Sequence, residues 1–307
     1  MATVSAAGCE VVVVDGSPAE VFQRHTEFFA PRARHIAVDR RFGYLNDKVN
    51  GIHTAIEQTT MAKIILGDDD VRYRAAELVE VARLLDNFEV VRPQNYLLPL
   101  PWWAKMEAAR MLINRATLRT ADYPGTCAFR RVAFLAAGHY DGDVLFDNEE
   151  IIRHFARHGA AIAWATDLFV AKRPPAFRKW LEQRPRQAYE DFPLRAKTAF
   201  FFLLLPLLLL LLFLRPQIGL AFLFSLGTGA ILLALAGRRR GAAAKYVPLN
   251  VCLFAPLWVL ERSLSSWCAL YWFLRYGGYP FGDKVLSKGV GRDWFAGARA
   301  AAQRSRG

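Results

Sequence analysis

The chain has 307 residues, room for one soluble domain of about 190 residues with a membrane region of about 110 behind it. Its net charge is +12 and its pI about 9.8, yet the basic excess gathers around apolar segments (Arg238-Arg239-Arg240, Lys245, Arg275, Lys284, Lys288, Arg292, Arg299, Arg304, Arg306) and no recognition motif for nucleic acid accompanies it. Four cysteines without a CxxC pair exclude a disulfide framework or a thiolate metal site, and hydrophobic residues, 53% of the chain, concentrate after Thr198.

Glu10–Val14 is a β-branched run that ends in Asp15-Gly16-Ser17, the pattern of a buried strand ending at a turn. Pro18–Phe29 reads as a helix with proline in its first turn, and Arg34–Val38 as a second strand. Val49, Ile52 and Ile56 share a helical face, with Lys48 near the start of that helix. Lys63–Leu66 is a strand stopped by Asp68-Asp69-Asp70. Ala75–Leu85 is helical and Glu89–Val91 a short strand. This alternation predicts a mainly parallel sheet covered on both faces, with ligands beyond the carboxyl ends of the strands. Asp15 and Asp68–Asp70 both lie at such ends.

Further on, Trp102–Leu118 is helical, Asp122–Thr126 a turn, Phe146–His158 a helix and Ala160–Val170 extended. Pro174–Tyr189 alternates Phe177, Trp180 and Leu181 with Arg and Lys, a segment suited to a membrane surface. Thr198–Leu214 and Ile218–Ala236 carry no charge and are long enough to span, since about 17 to 20 apolar residues cross a bilayer. Arg215-Pro216-Gln217 joins them as a tight hairpin. Arg238–Arg240 sets its exit, and with it the first domain, on the cytoplasmic side of the inner membrane. No signal-peptide pattern opens the chain, which agrees with that placement. In Val247–Phe273, Glu261-Arg262 splits the apolar run into two pieces, expected to be interfacial or re-entrant; a third crossing is the rival. The domains expected are therefore 1–192 and a membrane region 193–307.

Three successive carboxylates repel one another unless a cation neutralises them, and Mg²⁺ or Mn²⁺ prefers carboxylate oxygens. In an extended segment Asp68 and Asp70 would point the same way, with Asp69 opposite. The same residues could instead cap the helix at Ala75. Lys48 at a helix start could meet phosphate or base, or be a solvated surface lysine. Gln183-Arg184-Pro185-Arg186 offers two guanidinium forks for phosphate, or the basic flank of a span. Asp147-Asn148-Glu149-Glu150 is a catalytic acidic cluster or the acidic first turn of a helix.

The order of these clusters resembles the membrane-bound family 2 glycosyltransferases of the GT-A fold, a group that includes ceramide glucosyltransferase, cellulose synthase and hyaluronan synthase. The resemblance covers roughly residues 9–192. It implies a Rossmann-like α/β domain, a nucleotide-sugar donor, most simply UDP-linked, a Mg²⁺ or Mn²⁺ cofactor and a lipid or polyprenyl-linked acceptor. It implies base contact for Asp15 and nucleotide contact for Lys48. Ribose and metal fall to Asp68 and Asp70 with Asp69 between them, and diphosphate to Gln183, Arg184 and Arg186. Pro124-Gly125-Thr126 resembles the segment that shapes the acceptor pocket. Three positions depart from the pattern. Gln187 stands where the family has tryptophan. Asn148 stands where it has the catalytic aspartate, which leaves Asp147, or Glu149, as the base. The family's opening strand and helix have no counterpart ahead of Glu10, so the nucleotide pocket is expected to lack one wall. A non-catalytic nucleotide-sugar-binding homologue and a polysaccharide synthase subunit are the alternative functions. A membrane-anchored nucleotidyltransferase would also use an acidic metal site, but its Gly-rich phosphate loop is not found.

Overall fold

The computed structural model describes residues 8–30, 32–122, 125–282 and 284–289. Arg292, Arg299, Arg304, Arg306, Tyr123 and Pro124 lie outside them, and with them part of the turn expected at Asp122–Thr126. The chain forms two compact units, one made chiefly of residues 8–93 and 125–165, the other of 94–124 and 166–289.

In the first unit the β-branched run becomes β1 (Val12–Asp15), which pairs in parallel with β2 (Arg34–Ala37). Helix α1 (Ala19–Phe29) connects them, its entry fixed by Pro18. Helix α2 (Asp47–Gln58) starts at the N-cap Asn46, whose side chain accepts from the Lys48 N–H at 3.2 Å. Its apolar stripe Val49, Ile52 and Ile56 is buried with Phe129, Phe134, Phe155, Ile151 and Ile152.

The larger sheet has the order β3 (Lys63–Leu66), β6 (Cys127–Arg130), β5 (Val90–Leu97), β7 (Ile162–Lys172), β4 (Val71–Arg72). Here the structure departs from the expected mainly parallel sheet, because β6 runs antiparallel to both β3 and β5. Strand β6 and the short helix α5 (Arg131–Ala137) behind it carry no period long enough to read. Helices α3 (Ala75–Leu84) and α6 (Asp147–Arg157) complete the elements that bear on the site.

The second unit is mostly helical: α4 (Trp102–Thr117), α7 (Phe177–Tyr189), α8 (Arg195–Leu214), α9 (Pro216–Arg239) and α10 (Ala255–Tyr276), with a small hairpin of β8 (Tyr279–Phe281) and β9 (Lys284–Leu286). Helices α8 and α9 are long and apolar enough to cross a membrane, and only 17% of each apolar window is buried. Phe213 is 84% exposed and Phe224 76%. Helix α9 turns a stripe of small residues, Ala230, Ala234 and Gly237, inward. A Cβ on Gly237 would strike the Leu112 carbonyl of α4, so only glycine allows this approach. The Glu261-Arg262 pair does not break the last apolar stretch. A 3₁₀ turn over Leu249–Phe254 leads into α10, which is continuous across the pair, and Arg262 is buried with Nη1 3.5 Å from Asp191. Both apolar pieces thus lie on one helix, and Asp191 offsets the buried Arg262 charge.

Candidate functional site

Loop contacts explain why Lys48 meets the acidic cluster 100 residues away. Asn46 donates through Nδ2 to the Val144 carbonyl at 3.1 Å, and the Leu45 N–H donates to Asp143 at 2.9 Å. The start of α2 is thereby tied to the loop that leads into α6. The Lys48 ammonium then lies 2.7 Å from Asp68 Oδ1, 3.0 Å from Asp147 Oδ2 and 3.0 Å from Asn148 Oδ1. An ammonium has three donors, and three acceptors surround this one. Burial works against its charge, but Asp147 and Asp68 outweigh that and hold the Lys48 pKa above its usual value.

The three aspartates form a turn between β3 and β4, closed by the Val71 N–H donating to the Asp68 carbonyl at 3.1 Å. Asp68 and Asp70 are half-buried and Asp69 is exposed, but they lie in this turn rather than in the extended segment expected. They do not cap α3, whose first-turn acid is Glu77, accepting from the Arg74 N–H at 2.9 Å. Two carboxylates one residue apart suit a Mg²⁺ or Mn²⁺ ion that takes its remaining oxygens from phosphate and water. Among the described residues there is no group of three His, Cys, Asp or Glu placed to hold an ion without such help.

At the start of α6 the acids have separate partners. Asp147 is 5% exposed and turns toward Lys48 and, through it, Asp68. Glu149 Oε2 lies 2.7 Å from Nη2 of the buried Arg92, and Oε1 lies 3.6 Å from Arg153. Glu150 is buried against Arg157. Only Asp147 of the two candidate bases faces the lysine and the aspartate turn.

Asp15 closes β1. Its Oδ1 accepts from the Ser17 N–H at 2.8 Å, while Oδ2 lies 2.6 Å from His25 Nδ1 and 3.1 Å from His35 Nε2. Burial raises its pKa, but the hydrogen bonds from Ser17, His25 and His35 together pull it well below the ordinary carboxylate range. Asp15, Lys48 and Asp68 all line a cavity of about 1560 Å³, walled by Val12, Val14 and Ile64, enough for a nucleotide.

Gln183, Arg184 and Arg186 belong to α7 in the second unit. Arg184 is buried, its Nη1 3.0 Å from Glu107 Oε2 and its guanidinium over the Trp180 ring. Burial opposes charge on Glu107, but Arg110 and Arg184 hold its pKa down at about 2. Gln183 and Arg186 are half-buried. Gln187, where tryptophan was expected, accepts from Arg262 at 3.4 Å. Arg92, His25 and His35 carry no signal in the sequence. Each lies on a regular element away from any motif, and only the three-dimensional pairing reveals them.

No family model matches the chain, and no curated protein matches it. Among solved structures it is similar to the mannosyltransferase PcManGT of Pyrobaculum calidifontis in complex with GDP-Man and Mn²⁺, at 17% identity over 84% of this chain and 77% of that one, with a TM-score of 0.45. It is also similar to glucosyl-3-phosphoglycerate synthase of Mycobacterium tuberculosis in complex with Mn²⁺, UDP and glucosyl-3-phosphoglycerate, at 15% identity over 55% and 63% of the two chains, with a TM-score of 0.36. At these identities and scores the likeness carries no activity across.

Proposed function

We propose that the chain is an inverting, metal-dependent glycosyltransferase that moves a sugar from a nucleotide donor, UDP-linked, to a lipid or polyprenyl-linked acceptor at the cytoplasmic face of the inner membrane. The observation that carries this reading is the ammonium of Lys48 joining Asp68 to Asp147 at the rim of a nucleotide-sized cavity. A Mg²⁺ or Mn²⁺ ion on Asp68 and Asp70 would neutralise the charge that builds on the leaving diphosphate. Asp147 takes the proton of the acceptor hydroxyl as that oxygen attacks the anomeric carbon. Lys48 holds Asp147 in place beside the aspartate turn through its contacts to both Asp147 and Asp68. Asp15 reads the base from the end of β1. Gln183 and Arg186 are assigned to the diphosphate on the sequence resemblance alone, and Arg184 supports α7 through Glu107.

Helices α8 and α9 form the membrane hairpin in this reading. Reporter fusions near Pro216 and after Lys288 should report opposite sides of the membrane, external and cytoplasmic; a shared side would remove the hairpin. The function itself is tested with the full chain in detergent, Mn²⁺, extracted membrane lipids and a panel of radiolabelled nucleotide sugars. One donor should pass its label into the organic phase. Nucleotide binding without transfer from any donor would favour the non-catalytic alternative, which Asn148 and Gln187 keep open.

A further inference from the structure

The carboxylate of Asp15 is held in an unusual way. Two imidazoles from different elements, His25 of α1 and His35 of β2, converge on the single oxygen Oδ2 at 2.6 and 3.1 Å. His35 is fixed in turn. Its Nδ1 lies 2.9 Å from Thr26 Oγ1, its ring stacks on Phe22 with centroids 4.3 Å apart, and its side chain is 2% exposed. The other oxygen, Oδ1, takes the Ser17 N–H at 2.8 Å, and the Ser17 hydroxyl also helps hold the charge. A carboxylate has about four acceptor positions. Both at Oδ2 are taken by imidazole and one at Oδ1 by a backbone amide. The Ser17 hydroxyl, which also bonds the carboxylate, is a rotor that a stronger incoming donor can replace. Asp15 therefore offers an incoming ligand one acceptor position, on one oxygen.

We propose that His25 and His35 are specificity-determining positioning residues that make Asp15 a single-acceptor reader, so that the cavity takes a nucleotide with a uracil-type base and rejects guanine. The proposal rests on the nucleotide-binding reading of this cavity. Uracil presents one ring N–H between two carbonyl oxygens, and one free acceptor satisfies it. Guanine presents a ring N–H beside an amino N–H, and a carboxylate meets that edge with both of its oxygens. With Oδ2 engaged, the second guanine donor would be buried without a partner, a loss larger than that of any one good contact. Adenine and cytosine place a bare ring nitrogen beside their amino group, and that lone pair would face the charge of Asp15.

The experiment measures binding of UDP and of GDP, each with Mn²⁺, to the full chain in detergent by calorimetry. The wild-type chain should bind UDP at least ~10-fold tighter than GDP, the size of one hydrogen bond made or lost. In His25→Ala one position on Oδ2 opens, and the UDP/GDP affinity ratio should fall at least ~5-fold, chiefly through tighter GDP. His25→Gln, which can still donate to Oδ2, should keep the wild-type ratio; His25 is 44% exposed, so neither change threatens the fold. Equal or tighter binding of GDP by the wild-type chain overturns the inference and leaves the nucleotide-binding reading standing. An unchanged ratio in His25→Ala also overturns it, by moving base selection elsewhere. Failure to bind either diphosphate overturns both.

Discussion

At the scale of single residues, the site turns on how Lys48 divides its three donors. Two acceptors are carboxylates and the third is the Asn148 amide oxygen, so the ammonium faces two negative charges rather than three. An aspartate at 148 would compete with Asp147 for the same cation. The base is therefore expected at Asp147, with Glu149 fixed by Arg92 and Arg153. Asp147→Asn should lower kcat at least ~100-fold with UDP affinity near wild type, and Asn148→Asp should be tolerated. Steady-state kinetics beside calorimetry separates the two; a fully active Asp147→Asn with a dead Glu149→Gln would move the base. His53 is a second residue with a consequence. It is wholly buried in a ring of Phe42, Tyr44, Phe134, His139 and Tyr140. Burial, with His139 and His154 nearby, pushes its pKa down to about 4. Its folded pKa lies below the unfolded value of about 6.5. Its contribution is thus complete above pH 6.5 and declines as the pH falls toward 4, by about 3 kcal/mol in all. Urea midpoints at pH 7 and 4.5 should fall further in the wild type than in His53→Phe, and equal falls would contradict this. Asp15, Lys48, Asp68, Asp70 and Asp147 were legible in the sequence because each sits at an element's end beside a turn. His25 and His35, the partners of Asp15, and Arg92, the partner of Glu149, were not, because pairing across the fold leaves no spacing to read.

At the scale of elements, local pattern sufficed where a period was long and failed where it was short. The stripe of Val49, Ile52 and Ile56 marked α2, and the strand before the aspartates ended where expected. Strand β6 has four residues and lacks alternation, and its direction decides that the sheet is mixed. Periodicity finds strands without giving their sense. In the helical unit, hydropathy marked α8 and α9, whereas the continuity of α10 and the pairing of its Arg262 with Asp191, 71 residues earlier, left no local pattern to read. Close packing supplies the test at this scale. Gly237→Val places a branched side chain against the Leu112 carbonyl and should destabilise the helical unit by about 1–3 kcal/mol or more. Gly229→Val, with nothing within 4 Å of its Cβ position, is the matched control. Equal thermal midpoints for the two variants would show that the α4–α9 approach does not depend on glycine.

At the scale of the whole molecule, charge and hydropathy are divided along the chain. Exposed apolar side chains crowd α8 and α9, among them Leu203, Phe213 and Phe224. Basic residues follow at Arg238–Arg240 and Lys245. A soluble donor and an acceptor confined to the bilayer would give one chain a use for both halves. The proposed reaction is metal-dependent cleavage of a nucleotide sugar at the Asp68–Asp70 turn. It is tested most directly by the rate of nucleoside diphosphate release from the donor, for the wild-type chain and for Asp70→Ala, with Mn²⁺ and then with excess EDTA. The wild-type chain should release diphosphate with Mn²⁺, and the rate should fall at least ~100-fold in EDTA and in Asp70→Ala with an unchanged thermal midpoint. Full activity of Asp70→Ala, or of the wild-type chain in EDTA, would contradict it.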